Sequence, residues 1–273
     1  MRRRLLPHTP ALRGLVLATH AGPTFAVTTF AIVLGCASGL SASRSALLGA
    51  AVLAGQCSTG WHNDWLDADD DRAAERAAKP VVAGLVAVTH VRLAAFAALG
   101  VCVPLSLSLG AWSGTLHLLA VASAWAHNGL LKRTLFSPLP WALSFGLLPA
   151  VVAKALAGAP NPSLSVACAG ALLGVGAHCA NGARDVVSDR ELGIAGLPGR
   201  LGVRSSSLIS ATCQLAGIVL VRPGVVLLVA ASLAVLAVVG VAISGRTRGL
   251  FELSVLGALP LVIAVALHGG VLR

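Results

Sequence analysis

Residues 45–84 read SALLGAAVLAGQCSTGWHNDWLDADDDRAAERAAKPVVAG. An apolar run over 45–61, long enough to enter a bilayer core as a helix, gives way to Asp64, Asp67, Asp69, Asp70, Asp71 and Glu75. Carboxylates at the end of a membrane helix are costly to desolvate, so acids gathered there are kept for a use.

Outward from this stretch the chain stays apolar. Hydrophobic residues make up 56% of it and charged residues 11%, against about 25% charged in soluble domains. Runs long enough to span recur at roughly 14–36, 45–61, 83–107, 112–131, 138–157, 163–181, 205–221, 223–243 and 250–269. They are continuously apolar and do not alternate, which argues against a β-barrel and predicts helices. The expected fold is all-α: one domain over 1–273, a polytopic membrane bundle of about nine transmembrane helices enclosing a central cavity.

The net charge of +10 would suggest nucleic acid as partner in a soluble protein; here topology explains it and nucleic acid is not expected. With a cytoplasmic N-terminus, that side receives Arg2, Arg3, Arg4, Arg13, Arg72, Arg76, Lys79, Lys132, Arg133, Arg184, Arg190, Arg200, Arg204, Arg246 and Arg248. The other side receives only Arg44, Lys154, Arg222 and Arg273, and Arg92 falls within a span. The positive-inside rule therefore places the N-terminus in the cytoplasm of a plasma (inner) membrane and the C-terminus opposite. The basic start followed by a spanning run reads as a retained helix and not a cleaved leader. Cys36, Cys57, Cys102, Cys168, Cys179 and Cys213 form no C-x-x-C pair and read as small core residues.

Nine of the ten acidic residues lie in two windows, the second holding Asp185, Asp189 and Glu191; Glu252 stands apart. The windows share a pattern, Asn63-x-x-x-Asp67-x-x-x-Asp71 and Asn181-x-x-x-Asp185-x-x-x-Asp189, offset by 118 residues at all three positions. On a helix this spacing lines up oxygen ligands on one face. Both windows fall on the cytoplasmic side, so the two ladders are expected to face each other across one cavity mouth. Opposed carboxylates need cations between them, and all-oxygen sets suit Mg²⁺, which bridges carboxylate to phosphate; a diphosphate ligand follows. Arg72, Arg76, Lys79, Lys132, Arg133, Arg184 and Arg190 flank the ladders and are placed to neutralise it.

Asn63-Asp64-x-x-Asp67-x-x-x-Asp71 followed by Lys79-Pro80-x-x-x-Gly84 resembles the first signature of the UbiA superfamily of intramembrane prenyltransferases. Asn181-x-x-Arg184-Asp185-x-x-x-Asp189-x-x-x-Gly193 with Leu197-Pro198-x-x-Leu201-Gly202 is similar to the second, and Leu131-Lys132-Arg133 looks like the element after span four. The resemblance implies a Mg²⁺-dependent enzyme that ionises an isoprenoid diphosphate and lets an acceptor capture the cation. It implies metal roles for Asn63, Asp64, Asp67, Asp71, Asp185 and Asp189, of which Asp67, Asp71, Asp185 and Asp189 are the catalytic candidates. Diphosphate contacts would come from Lys79, Lys132, Arg184 and Arg72. Asp69 and Asp70 fall off the ladder.

Two departures bear on substrate. The chain has no tyrosine where relatives often place one before the fourth-span lysine; His127 stands in that stretch, as an acceptor-orienting residue or general base, or as a histidine satisfied inside the bundle. Gly193-Ile194-Ala195-Gly196 replaces a basic residue before the Leu-Pro element. Trp61, Trp65, Trp125 and Trp141 lie near the same membrane side, as interfacial anchors or as faces for a carbocation. His20 and Arg92 are polar points in apolar runs. The favoured function is transfer of a prenyl group to a lipophilic acceptor, aromatic or quinone-like, in contact with membrane lipid. A terpene cyclase would use the same diphosphate site without an acceptor. A cation transporter would set its acids at mid-membrane on broken helices, and a phosphatidyltransferase would show an Asp-Gly-x-x-Ala-Arg opening; neither pattern is present.

Overall fold

A computed structural model describes residues 9–222, 224–244, 249–267 and 270–272. Arg2, Arg3, Arg4, Arg246, Arg248 and Arg273, used above for topology, lie outside the described residues. The regular structure among the described residues is helical: α1 (Thr9–Leu17), α2 (Ala21–Ala37), α3 (Ala42–Leu66), α4 (Ala68–Ala73), α5 (Val88–Ser108), α6 (Ala111–Ala126), α7 (Leu139–Ala155), α8 (Leu164–Gly182), α9 (Val186–Glu191), α10 (Leu197–Leu201), α11 (Val203–Val221), α12 (Val225–Ile243) and α13 (Leu250–Leu267). A π-helical turn, His127–Leu131, continues α6, and a 3₁₀ turn, Gly270–Leu272, follows α13.

Among the described residues four helices, α5, α8, α11 and α13, are long and apolar enough to cross a bilayer alone; the bent pair α1–α2, counted as one span, would bring the number to five. The expected count of nine is not reached on that measure, because α6 and α7 have 16 and 17 residues and α3 ends in polar side chains. The first expected span, 14–36, is not one helix: α1 and α2 are bent by 59°. His20 sits at the break in the left-handed region, φ 54°. Cys36 and Cys168 also differ from expectation, lying exposed on the outer surface, whereas Cys102 and Cys179 are buried.

The long helices pack side by side around a ring in which α13 returns to α2. Lipid offers no hydrophobic drive to join them, so close backbone approach and internal hydrogen bonds hold them together. Gly170 and Gly174, four apart on α8, face α7: a Cβ at Gly174 would stand 2.3 Å from the Trp141 carbonyl oxygen, and one at Gly170 would stand 2.6 Å from that of Phe145. Gly114 of α6 meets the Ser106 carbonyl of α5 in the same way, at 2.6 Å.

Two ends of the bundle are defined by what meets there. At one, Arg44 at the start of α3 donates to the carbonyls of Leu109 (2.6 Å) and Ala155 (3.1 Å), which end α5 and α7. Ser38 after α2 receives the Val271 amide at that end. The opposite end collects the 18–20, 67–87, 127–138 and 183–202 segments, and hence both acidic windows.

Gly174→Val should remove helix contact without touching the acids. Overpacking of this kind costs roughly 1–3 kcal/mol or more, so its thermal midpoint in detergent should fall by several degrees. Gly100→Ala, where nothing lies within 4 Å, should leave the midpoint unchanged or slightly higher.

Candidate active site

Each acidic window folds by the same local rules. Asp67 and Asp185 occupy the N-cap positions of α4 and α9, neither side chain bonding to the helix it precedes. Six residues on, each short helix closes with a Schellman pattern: Arg76 N donates to Asp71 O and Glu75 N to Arg72 O, and Ile194 N donates to Asp189 O and Gly193 N to Arg190 O. The turning residues, Glu75 (φ 50°) and Gly193 (φ 69°), are again 118 apart. The sequence repeat is thus a structural repeat. It departs from the expected continuous ladders, since Asn63 and Asn181 ride on α3 and α8 while Asp71 and Asp189 ride on the short helices beyond the breaks.

The reversal at Glu75 throws Arg76 back over the carboxylates, and Arg76 joins the two windows. Its guanidinium donates to Asp71 (2.9 Å), Asp189 (2.9 Å) and Ser188 Oγ (3.0 Å), with Asp185 at 3.6 Å. Burial works against the charge of Arg76, but Asp185, Asp71 and Asp189 more than offset it and hold its pKa above the usual value. Burial and the Asp185 charge raise the pKa of Asp189, against the pull of Arg76 and Lys132.

Three further aspartates are also paired. Asp64, 2% exposed, accepts from Lys79 at 2.6 Å and meets His20 Nε2 at 2.8 Å. Asp67 is bonded to Lys132 and accepts from Asn63 Nδ2 at 2.7 Å; Asp70 pairs with Arg133. Together these groups wall a cavity of about 680 Å³ open at the end of the bundle. Its wall includes Asn63, Asp64, Asp67, Asp185 and Asp189, with Arg76, Lys79, Lys132 and Arg184.

Two predicted residues stand elsewhere. Asp71, 2% exposed, lies behind the wall under Arg76 and Lys79. Arg72 turns outward to Asp69, which is 97% exposed at the side chain, because it occupies the outer face of α4. Arg184 reaches Asn181 Oδ1 (2.5 Å) and approaches Glu252 (3.9 Å), the acid outside both windows. Gly196 has a steric reason to be small: its Cβ would lie 2.1 Å from the Lys132 carbonyl oxygen.

Below the charged layer sit His127, His178 and Trp141. His127 Nε2 receives the Trp141 indole N–H at 3.3 Å; the indole only donates, so this nitrogen is not free to act as a base. His178, not singled out in the sequence, faces the same cavity and is bonded to Ser137 Oγ. Trp61, Trp65 and Trp125 pack away from the cavity: Trp61 donates to Leu15 O, Trp125 stacks on His62, and Arg92 lies over Trp65.

Among the described residues no three His, Cys, Asp or Glu side chains converge closely enough to hold a metal; cationic side chains stand between the carboxylates instead. The donor set, carboxylate and amide oxygens from both windows, is that of a hard divalent ion.

The UbiA prenyltransferase family model matches residues 9–267. The chain belongs to the UbiA prenyltransferase family. Solved UbiA-type structures share its fold. An apo UbiA homolog from Aeropyrum pernix K1 aligns with TM-score 0.71 and 24% identity over 90% of this chain and 97% of its own. A homolog from Archaeoglobus fulgidus bound to GPP and Mg²⁺ gives 0.63 and 14% over 95% and 98%. A digeranylgeranylglyceryl phosphate synthase gives 0.65 and 13% over 94% and 98%. No curated protein matches the sequence. UbiA membership makes the all-helical bundle and its membrane setting expected properties of the chain.

Arg76→Ala should leave Asp71 and Asp189 without their shared partner and destabilise the protein by about 1–3 kcal/mol, read as a lowered thermal midpoint. Lysine at this site should restore only part, lacking the fork that reaches both windows. Arg72→Ala should not move the midpoint.

Proposed function

We propose that this UbiA-family chain is a Mg²⁺-dependent prenyltransferase that moves a prenyl group from an isoprenoid diphosphate to a lipophilic acceptor. The observation that carries the reading is the meeting of two repeated carboxylate windows across one cavity through Arg76. The A. fulgidus homolog bound to GPP and Mg²⁺ supports the same chemistry for a fold of this kind. The distribution of basic residues supports a cavity that opens at the cytoplasmic face.

Asn63, Asp64, Asp67, Asp185 and Asp189 are the oxygen donors that would hold Mg²⁺. Held by these residues, Mg²⁺ would supply positive charge against the leaving diphosphate. Lys79, Lys132 and Arg76, already at the wall, supply further positive charge where the allylic carbon–oxygen bond breaks and negative charge accumulates. Asp71 acts from behind by holding Arg76 and Lys79 in place. Small apolar voids of about 50–80 Å³ beneath, clustered about Val27 and Phe145, lie in the path a prenyl chain would take into the bundle. Exclusion of water at that depth protects the cation.

Purified protein given geranyl diphosphate and a lipophilic acceptor should release diphosphate only with Mg²⁺, and EDTA should stop release. Asp67→Ala and Asp185→Ala should each lower it by at least about a hundredfold with unchanged size-exclusion profiles. Near-native release from both variants would remove the assigned site.

A further inference from the structure

Both imidazoles at the cavity floor have their tautomer set by their neighbours. For His127 the donor is Trp141, which puts the ring proton on Nδ1. For His178 the argument runs through Ser137. The Ser137 hydroxyl, wholly buried, receives the Leu197 amide N–H at 3.1 Å and stands 2.9 Å from His178 Nε2. A buried hydroxyl that accepts a backbone N–H satisfies its own proton by donating it, and Nε2 is the acceptor in reach. The relay Leu197 N–H to Ser137 O–H to His178 Nε2 therefore leaves the His178 proton on Nδ1. Among the described residues Nδ1 has no hydrogen-bond partner and, unlike Nδ1 of His127, it is not fully buried; His178 lines the cavity.

Depth separates this donor from the diphosphate layer. His178 lies four residues before the end of α8 at Gly182, about 6 Å deeper along the helix, and Asp185 follows beyond that end. Its ring also touches the apolar side: Trp141, 5.6 Å from His178 between ring centres, lines one of the apolar voids together with Ala177. A donor at this depth, beside an indole face and below the charged residues, suits an oxygen atom on a flat apolar molecule.

Resting on the prenyl-transfer reading, we propose that His178 is the acceptor-binding residue: its Nδ1–H hydrogen-bonds an oxygen of a hydroxyl-bearing aromatic acceptor, a naphthol or quinol, and orients it toward the cation. The bond formed joins the prenyl carbon to the acceptor, the bond broken is the allylic carbon–oxygen bond, diphosphate leaves with the electron pair, and the acceptor's displaced proton passes to water. His178 stays a donor throughout. This moves the acceptor role from His127, whose Nε2 is taken by Trp141 and whose unpaired Nδ1 is fully buried, to a histidine on another helix.

The test pairs geranyl diphosphate and Mg²⁺ with 1-naphthol and 2-methyl-1,4-naphthoquinol, following diphosphate release and prenylated product separately. The account expects His178→Ala and His178→Gln to lower kcat/KM for the naphthol or quinol about tenfold, through KM, while the slow release without acceptor, in which water captures the prenyl cation, stays within about twofold of the unsubstituted protein. His178→Asn, whose amide nitrogen overlays Nδ1, should recover transfer to within about threefold; glutamine overlays Nε2 and should not. Unchanged transfer in His178→Ala, or a parallel fall of transfer and release, would overturn the proposal. So would release by the unsubstituted protein with neither probe prenylated, the outcome of a cyclase. Absence of any Mg²⁺-dependent release would instead defeat the prenyl-transfer reading on which it rests.

Discussion

The structure depends on the need to neutralise carboxylates buried at the end of a membrane bundle. Asp64 and Asp71 are each 2% exposed, and an uncompensated charge at that burial is worth several kcal/mol of instability. Arg76 meets this need for both windows at once, and Lys79, Lys132 and His20 complete it. The same pairs that hold the fold together place cations where a diphosphate would need them, so stability and the proposed chemistry use one set of contacts.

Around this charged end the bundle has little else to hold it but close packing. Interhelical contact is made by glycines that meet a neighbouring backbone, as at Gly170 and Gly174, and by Arg44 gathering carbonyls at the opposite end. Outward faces stay apolar, with Leu93, Val101 and Leu107 of α5 and Leu208, Leu215 and Val219 of α11 exposed, as lipid requires. The two ends therefore differ in kind: one is tied by neutral backbone acceptors, the other by an ion network able to exchange partners.

Much of this was legible in the sequence because it is periodic or charged. Continuous apolar runs announced helices, and the 118-residue offset of Asn, Asp and Asp announced two equivalent windows, an equivalence that extends to α4, α9 and the turns at Glu75 and Gly193. What stayed hidden depended on direction. Arg72 and Arg76 look alike in sequence, yet a left-handed turn sends Arg76 inward while Arg72 faces water. Continuous ladders were expected because spacing cannot show a helix break at Asp67 or after Gly182. His127 was visible beside Lys132, whereas the partners that fix its tautomer, and the Ser137 relay to His178, come from helices far apart in the chain.

The central claim is that both windows serve one diphosphate. A structure of the protein with Mg²⁺ and the non-ionising analogue geranyl S-thiolodiphosphate tests it most directly. The account predicts a single diphosphate group contacted, through Mg²⁺ or a basic side chain, by residues of both the 63–79 and the 181–189 segments. A diphosphate held by one window while Arg76 keeps the other closed would contradict it.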